Sequence, residues 1–261
     1  TFKDRGDREV TLRPEMTPTV ARMVAGKKRE LLFPLRWYSI PNLFRYEKPQ
    51  RGRLREHWQL NVDIFGVESI QAEVEIISVA SEIMKAFGIK DNQFEIRINN
   101  RKIVNYILGE VFAFPEETKR QVTKLIDKKE KMEGTAFKEA LKDVAGDKTP
   151  ELLTLLNSQN FEEFVNHLGS THSEQEGLEE IKKVMLALEK LGITNIRFDQ
   201  TLMRGFDYYT GVVFEIFDVN PDNRRALFGG GRYDDLLDIF GEENVPPVGF
   251  GMGDVTIRDA F

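Results

Sequence analysis

The chain has 261 residues, with 41% hydrophobic and 31% charged side chains and a formal net charge of −6. That is room for one large domain or a domain with an insert, and the composition is that of a water-exposed globular protein. There is no cysteine, which removes disulfide, zinc-thiolate and cysteine-nucleophile chemistry. No apolar run approaches the roughly 18 residues a membrane span needs.

The charge is unevenly spread. Residues 1–66 carry 14 Lys/Arg against 8 Asp/Glu, so this part is net +6 and the remainder net −12. A basic zone on an acidic protein suits phosphates or a polynucleotide backbone, but it also suits a plain solvated face. The opening TFKDRGDREV is charged and turn-like, with no secretory pattern, and a cytoplasmic setting is expected. It lacks an initiating Met, which suggests a piece of a longer chain.

In chain order, VTLRP (10–14) reads as a strand running into a helix at about 17–26, with Thr17 as cap and Pro18 in the first turn. LFRYE (43–47) and HWQLNVDIFG (57–66) read as two strands of a long hairpin. Its tip is the polar segment KPQRGRLRE, with turn chemistry at Gly52. Residues 72–87 form an amphipathic helix stopped by Gly88, and FEIRIN (94–99) is a strand.

From 101 to 192 the pattern is helical, with breaks near Pro115, Gly134, Gly146–Pro150 and Gly169–Ser170. Strands return at NIRFDQ (195–200), GVVFEIFD (211–218) and ALFGGG (226–231). PVGFGMGDVTIRDAF reads as a strand entering a helix capped by Asp254. Strands, then helices, then strands predict an α+β fold: an antiparallel core built from 1–100 and 193–261, interrupted by a helical insertion at 101–192.

Four segments carry chemistry. FRYEKPQRGRLREHWQLNVD (44–63) gathers Arg45, Arg51, Arg53 and Arg55, with Arg36 nearby. Arginine forks grip phosphate in two-pronged fashion and stay charged at any working pH. Glu47 shares a strand face with Arg45 and can orient an arginine or accept from an adenine amino group. In LMRGFDYYTGVVFE (202–215), a turn at Gly205 presents Arg204, Asp207, Tyr208 and Tyr209, a set suited to a small polar ligand with a carboxylate. Tyrosines packed for their area are the plainer alternative. In FGGGRYDDLL (228–237), three consecutive glycines permit close backbone approach ahead of Arg232 and Tyr233, without meeting a phosphate-loop pattern. In LRPEMTP (12–18), Glu15 can hold an amino group or merely complement a helix dipole. The three histidines, His57, His167 and His172, are dispersed. His167 and His172 are expected at the surface, and no metal site from protein side chains is expected.

Taken in this order, the four segments resemble histidyl-tRNA synthetases over nearly the whole chain. FRYE with its arginine-rich loop looks like motif 2 of class II aminoacyl-tRNA synthetases. RGFDYYTG and GGGRYD look like the two histidine-specific motifs, and VGFGMGD stands where motif 3 belongs. The resemblance implies a class II antiparallel sheet of the seven-stranded type, flanked by helices. It implies ATP-dependent activation of histidine to the adenylate and transfer to tRNA(His), with Mg²⁺ accompanying ATP, and a homodimer in the full-length protein.

Carried over by position, Arg45 and Arg204 would be catalytic. Arg45, Glu47 and Arg53 would bind ATP, with His57 or Trp58 stacking on adenine. Glu15, Thr17, Gln59, Asp63, Arg204, Tyr208, Tyr209 and Tyr233 would surround histidine, with Tyr209 and Tyr233 reading the imidazole. Thr256 stands near the position where motif 3 carries an arginine, and Arg258 follows two residues on. By the same resemblance, the family's anticodon-binding domain and much of motif 1 are expected to be absent from these residues. The rival reading is the histidine-sensing regulatory subunit of ATP phosphoribosyltransferase, a non-catalytic paralogue. A plain RNA-binding module would leave the glycine-tyrosine motifs unexplained.

Overall fold

A computed structural model describes residues 1–46, 48–50, 52–203, 208–220, 222–223, 225–241 and 245–258. The chain opens with a two-stranded ribbon, β1 (Phe2–Lys3) and β2 (Glu9–Val10). The strand expected over 10–14 stops at Val10. Pro14 has no N–H to donate, and the segment meets residues 42–45 through single bonds: the Arg13 carbonyl accepts from the Phe44 amide, and Arg13 Nε donates to the Asn42 carbonyl.

Helix α1 (Thr17–Lys27) follows, with Pro18 in its first turn. The cap position is Met16 rather than Thr17, and no side chain caps it. Val20, Ala21, Val24 and Ala25 recur on one face and are buried.

Strand β3 (Leu35–Ser39) was not legible in sequence: Leu35 is its only buried position, and β3 pairs only with β5. The arginine hairpin is present as β4 (Asn42–Phe44) and β5 (Glu56–Phe65). It is held beyond β4 by the Arg45 amide donating to the Arg55 carbonyl at 2.8 Å. Near the tip, Gln50 and Arg53 exchange backbone bonds around Gly52 at φ 72°. Helix α2 (Gln71–Ala86) ends as expected, with Gly88 at φ 87°.

The main sheet takes in β6 (Phe94–Asn100), then, after the helical segment, β7 (Ile196–Phe198), β8 (Val212–Asp218), β9 (Ala226–Arg232) and β10 (Pro247–Gly253). Its order is β3-β5-β10-β9-β8-β6-β7, with β4 also on β5. Every pairing is antiparallel except β6 with β7. Strands far apart in sequence are thus neighbours, as an α+β fold requires.

The helical segment comprises α3 (Arg101–Tyr106), α4 (Glu116–Ile126), α5 (Gly134–Ala145), α6 (Thr149–Leu156), α7 (Phe161–Leu168) and α8 (Glu176–Lys190). Helix ends fall at Pro115, Gly134, Gly146 and Gly169 as expected, whereas the break between α6 and α7, at residues 157–160, has neither proline nor glycine and was not foreseen. Helices α3 and α8 pack on the sheet and on each other, and α8 also packs on α2. One apolar core runs from Ile76, Ile96 and Phe214 under the sheet out to Leu141 and Phe164 in the helices. A boundary at 101 and 192 therefore crosses continuous packing. A second, smaller core lies under α1 and contains Val24, Phe65, Tyr209, Tyr233 and Leu237. Short helix α9 (Asp254–Arg258) closes the described chain.

Candidate active site

One face of the sheet carries the helices. The other lines a cavity of about 1390 Å³. Strand alternation decides what that cavity meets. On β5, His57, Gln59, Asn61 and Asp63 share one face, while Leu60, Val62 and Ile64 turn into the helix-side core.

On the neighbouring strands this face is paved with glycine. Gly249 pairs with Asp63 and Gly251 with Asn61 on one side. On the other side they pair with Gly231 and Gly229. A Cβ on Gly249 would lie 2.2 Å from Asp63 Oδ1. On Gly251 it would lie 2.5 Å from Gln59 Nε2, and on Gly229 it would lie 2.3 Å from the Phe214 carbonyl. The floor is therefore bare backbone, flat enough for a planar ligand to rest on.

One wall is phenolic and acidic. The Tyr208 hydroxyl donates to Glu15, and the Tyr233 hydroxyl donates to Asp63 Oδ1 at 2.5 Å. The Tyr208 ring sits 4.8 Å from that of Tyr209 and 5.7 Å from that of Tyr233. Burial drives both Tyr208 and Tyr233 well above the ordinary phenol range, reinforced by the negative charge of Glu15 and Asp63 respectively, so both stay protonated as donors.

Asp63, 3% exposed, is pushed up to about 7 by burial and by the charge of Glu15, against the opposing pull of the Tyr233 hydrogen bond. A cation arriving beside it would favour the ionised form. Asp63 does not itself line the cavity; Tyr233, Gln59 and Asn61 do. Gln59 donates to Asn61 Oδ1 at 2.9 Å. Asn61 is a lining residue that sequence reading passed over, although the two-residue step from Gln59 to Asp63 marks it.

Another stretch of the lining is basic. Arg45 is half-buried and held by Nε donating to the Pro14 carbonyl at 2.9 Å. Arg53, His57, Glu15 and Thr17 line the same space. His57 and Trp58 stood as alternatives for stacking. Only His57 faces the cavity; Trp58 lies on the outer side, 53% exposed, its amide donating to Asp254 Oδ1 at 3.1 Å. Asp254 thus ties α9 to β5. Glu47, Arg51, Arg204 and Asp207 lie outside the described residues, while Met203 and Tyr208 both line the cavity.

Two further arginines prove to be structural or remote. Arg232 is buried against α2, where it forks onto Glu73 at 2.5 and 2.8 Å and donates to the Val67 carbonyl at 3.1 Å. Arg97, at the far end of the cavity, meets Glu95 at 2.8 Å, Glu130 at 2.9 Å and Asp199 at 3.4 Å, and lies 4.0 Å over the Phe217 ring. This ion network joins the sheet to the turn after α4. Nothing in the local sequence revealed it, because its members are brought together only by strand order. His167 and His172 lie away from the cavity; His172 pairs with the Tyr106 hydroxyl at 2.7 Å, and it is half-buried. Among the described residues no three His, Asp or Glu side chains converge as a metal site.

A sequence profile of the family described as histidyl-tRNA synthetase matches residues 1–255. The chain belongs to the histidyl-tRNA synthetase family. A protein named histidine--tRNA ligase from Leptospira biflexa is 46% identical over 263 aligned residues, covering 99% of this chain. One named as the chloroplastic/mitochondrial histidine--tRNA ligase of Arabidopsis thaliana is 38% identical over 98% of it. The chain spans 59% of the length of the first of these relatives and 52% of the second. Among solved structures, a protein from Bacillus halodurans described as an ATP phosphoribosyltransferase regulatory subunit/histidyl-tRNA synthetase superposes with a TM-score of 0.84. It is 27% identical, and the match covers all of this chain and 67% of that one. The class II synthetase fold expected from the motifs is the one observed.

Proposed function

We propose that this chain is the catalytic part of a histidine--tRNA ligase, condensing histidine with ATP and passing the aminoacyl group to tRNA(His). The observation that carries this is the shared cavity. The motif 2 arginines Arg45 and Arg53 and the histidine-motif tyrosines Tyr208, Tyr209 and Tyr233, up to 188 positions apart in sequence, flank one glycine-paved floor.

In this reading ATP lies on the floor with its adenine by His57. Arg45 faces the α-phosphate, and histidine occupies the phenolic wall with its imidazole toward Tyr209 and Tyr233. Glu15, Thr17, Gln59 and the Tyr233–Asp63 pair draw in its α-ammonium group. The histidine carboxylate attacks the α-phosphorus and pyrophosphate departs. No protein base is needed, because the nucleophile is already an anion. Arg45, joined by Arg204 from outside the described residues, acts by fixed positive charge on the phosphoryl oxygens. In the second step the terminal ribose hydroxyl of the tRNA attacks the adenylate carbonyl, the ester forms as the mixed anhydride breaks, and AMP departs with its phosphate able to take the hydroxyl proton. Magnesium would arrive with the outer phosphates of ATP, since the described residues supply no cluster for it. Discrimination would come from buried phenols that most other amino acids would leave unpaired.

The working assembly proposed is a homodimer in a cytoplasmic setting; among the described residues no helix is long and apolar enough to cross a membrane. A regulatory, non-catalytic reading is favoured by the Bacillus halodurans structure's description and by Thr256 at the motif 3 position. Histidine-dependent ATP–pyrophosphate exchange by the full-length protein decides between them: exchange is expected, and histidine binding without exchange would reverse the assignment.

A further inference from the structure

The cavity's positive charge comes from several separate elements. Among the described residues, its lysines and arginines are Arg45, Arg53, Arg97, Lys131, Arg197 and Arg225. Arg45 and Arg53 belong to the hairpin. Arg97 is enclosed by three carboxylates, Arg197 lies 3.1 Å from Glu95, and Lys131 lies 3.7 Å from Asp127. Motif 3 would put an arginine at the position of Thr256, on the short helix that Asp254 ties to β5. The Thr256 hydroxyl is spent on backbone, donating to the Leu227 carbonyl at 2.5 Å.

That bond places Arg225, the residue just before β9, two positions from Thr256's partner Leu227, at most roughly 7 Å of chain away. The register of β9 shifts here. Ile216 pairs with Phe228 but Phe217 pairs with Ala226, so Leu227 is an extra residue in the strand. Such a bulge bends a strand and re-aims side chains. Its effect is visible in the lining: Arg225, Ala226, Leu227, Phe228 and Gly229 all border the cavity, where strict alternation would present every second one. Arg225 is exposed and makes its own contact within the protein. Polar contacts at exposed sites in general contribute little to stability, and an arginine so placed can turn to a polyphosphate.

We propose that Arg225 supplies, from the start of β9, the cation for the outer phosphates of ATP that Thr256 does not provide. This rests on the ATP-dependent reading above and deepens it. It makes the bulge the device that compensates for the altered motif 3: the arginine approaches the phosphate tail from β9 instead of α9. Arg258, exposed on α9 and away from the cavity lining, does not take that part.

The test compares nucleotides that differ only in the outer phosphates, using the full-length protein. Arg225→Gln should weaken ATP about 10- to 100-fold, by KM in pyrophosphate exchange and by direct titration. Inhibition by AMP and the KM for histidine should stay within about twofold. Arg225→Lys should recover part of the loss, and adding Thr256→Arg to Arg225→Gln should recover more. An unchanged KM for ATP, or equal weakening of ATP and AMP, would overturn the proposal. A wild-type protein that binds ATP without histidine-dependent exchange would refute the activation reading, while the ATP-against-AMP comparison still decides the role of Arg225.

Discussion

The two walls of the cavity solve different problems with different materials. The phenolic wall is buried and internally satisfied: Tyr233 on Asp63, Tyr208 on Glu15, three rings in contact. The arginine wall is open, with Arg53 exposed on a hairpin tip and Arg45 half-buried against the Pro14 carbonyl. Groups that must tell one small molecule from another are held rigidly in a low-dielectric place, where an unmatched partner is penalised. Groups that must grip a strongly charged tail sit closer to water, because guanidinium needs no help to remain charged.

The sharpest way to test that contrast is through Asp63. Its carboxyl is raised to about 7 in the folded protein against 3.8 for the free group, so burial favours the protonated acid. The stability it confers is complete at pH below 3.8 and is lost as pH rises through about 7, a change of roughly 4 kcal/mol. Asp63→Asn should remove this component. Urea midpoints from pH 4 to pH 8 should diverge, with the variant gaining at the alkaline end, and parallel profiles would refute it. Next in size, Arg45→Ala should lower the exchange rate about 10²- to 10³-fold with little change in melting temperature, as a charge-stabilising group on an open wall predicts. Equal loss in a thermal melt would mean that Arg45 serves the fold instead.

Tyr233→Phe leaves Asp63 without its donor. It should weaken histidine about tenfold in a calorimetric titration and raise Asp63 further, while ATP affinity holds. The smallest effect separates two neighbours. Trp58→Ala should leave the KM for ATP unchanged, whereas His57→Ala should raise it a few-fold if the imidazole stacks on adenine.

What sequence revealed followed from local chemistry. Pro115, Gly134 and Gly146 announced the helix breaks, and the alternation from His57 to Asp63 announced β5. Errors arose where a short segment obeyed no rule strongly. VTLRP has strand-forming residues but ends at a proline, and LRWYS is an edge strand with little burial. The choice between His57 and Trp58 could not be made before the pairing of β5 with β10 fixed which face is which. The Arg97 network and the bulge at Leu227 depend on strand order, which one-dimensional patterns do not encode. Arg204 and Glu47, central to the sequence reading, remain outside the described residues.

Behind the glycine floor, the Phe250 ring lies 5.5 Å from Phe228 in a tilted pair and 6.3 Å from Phe214 edge-to-face, and a Cβ on Gly230 would meet Phe250 itself. At the glycine positions a ligand meets backbone with no rotamers to reset, so the reorganisation that binding demands falls on the side chains around them, Gln59 and Asn61 among them.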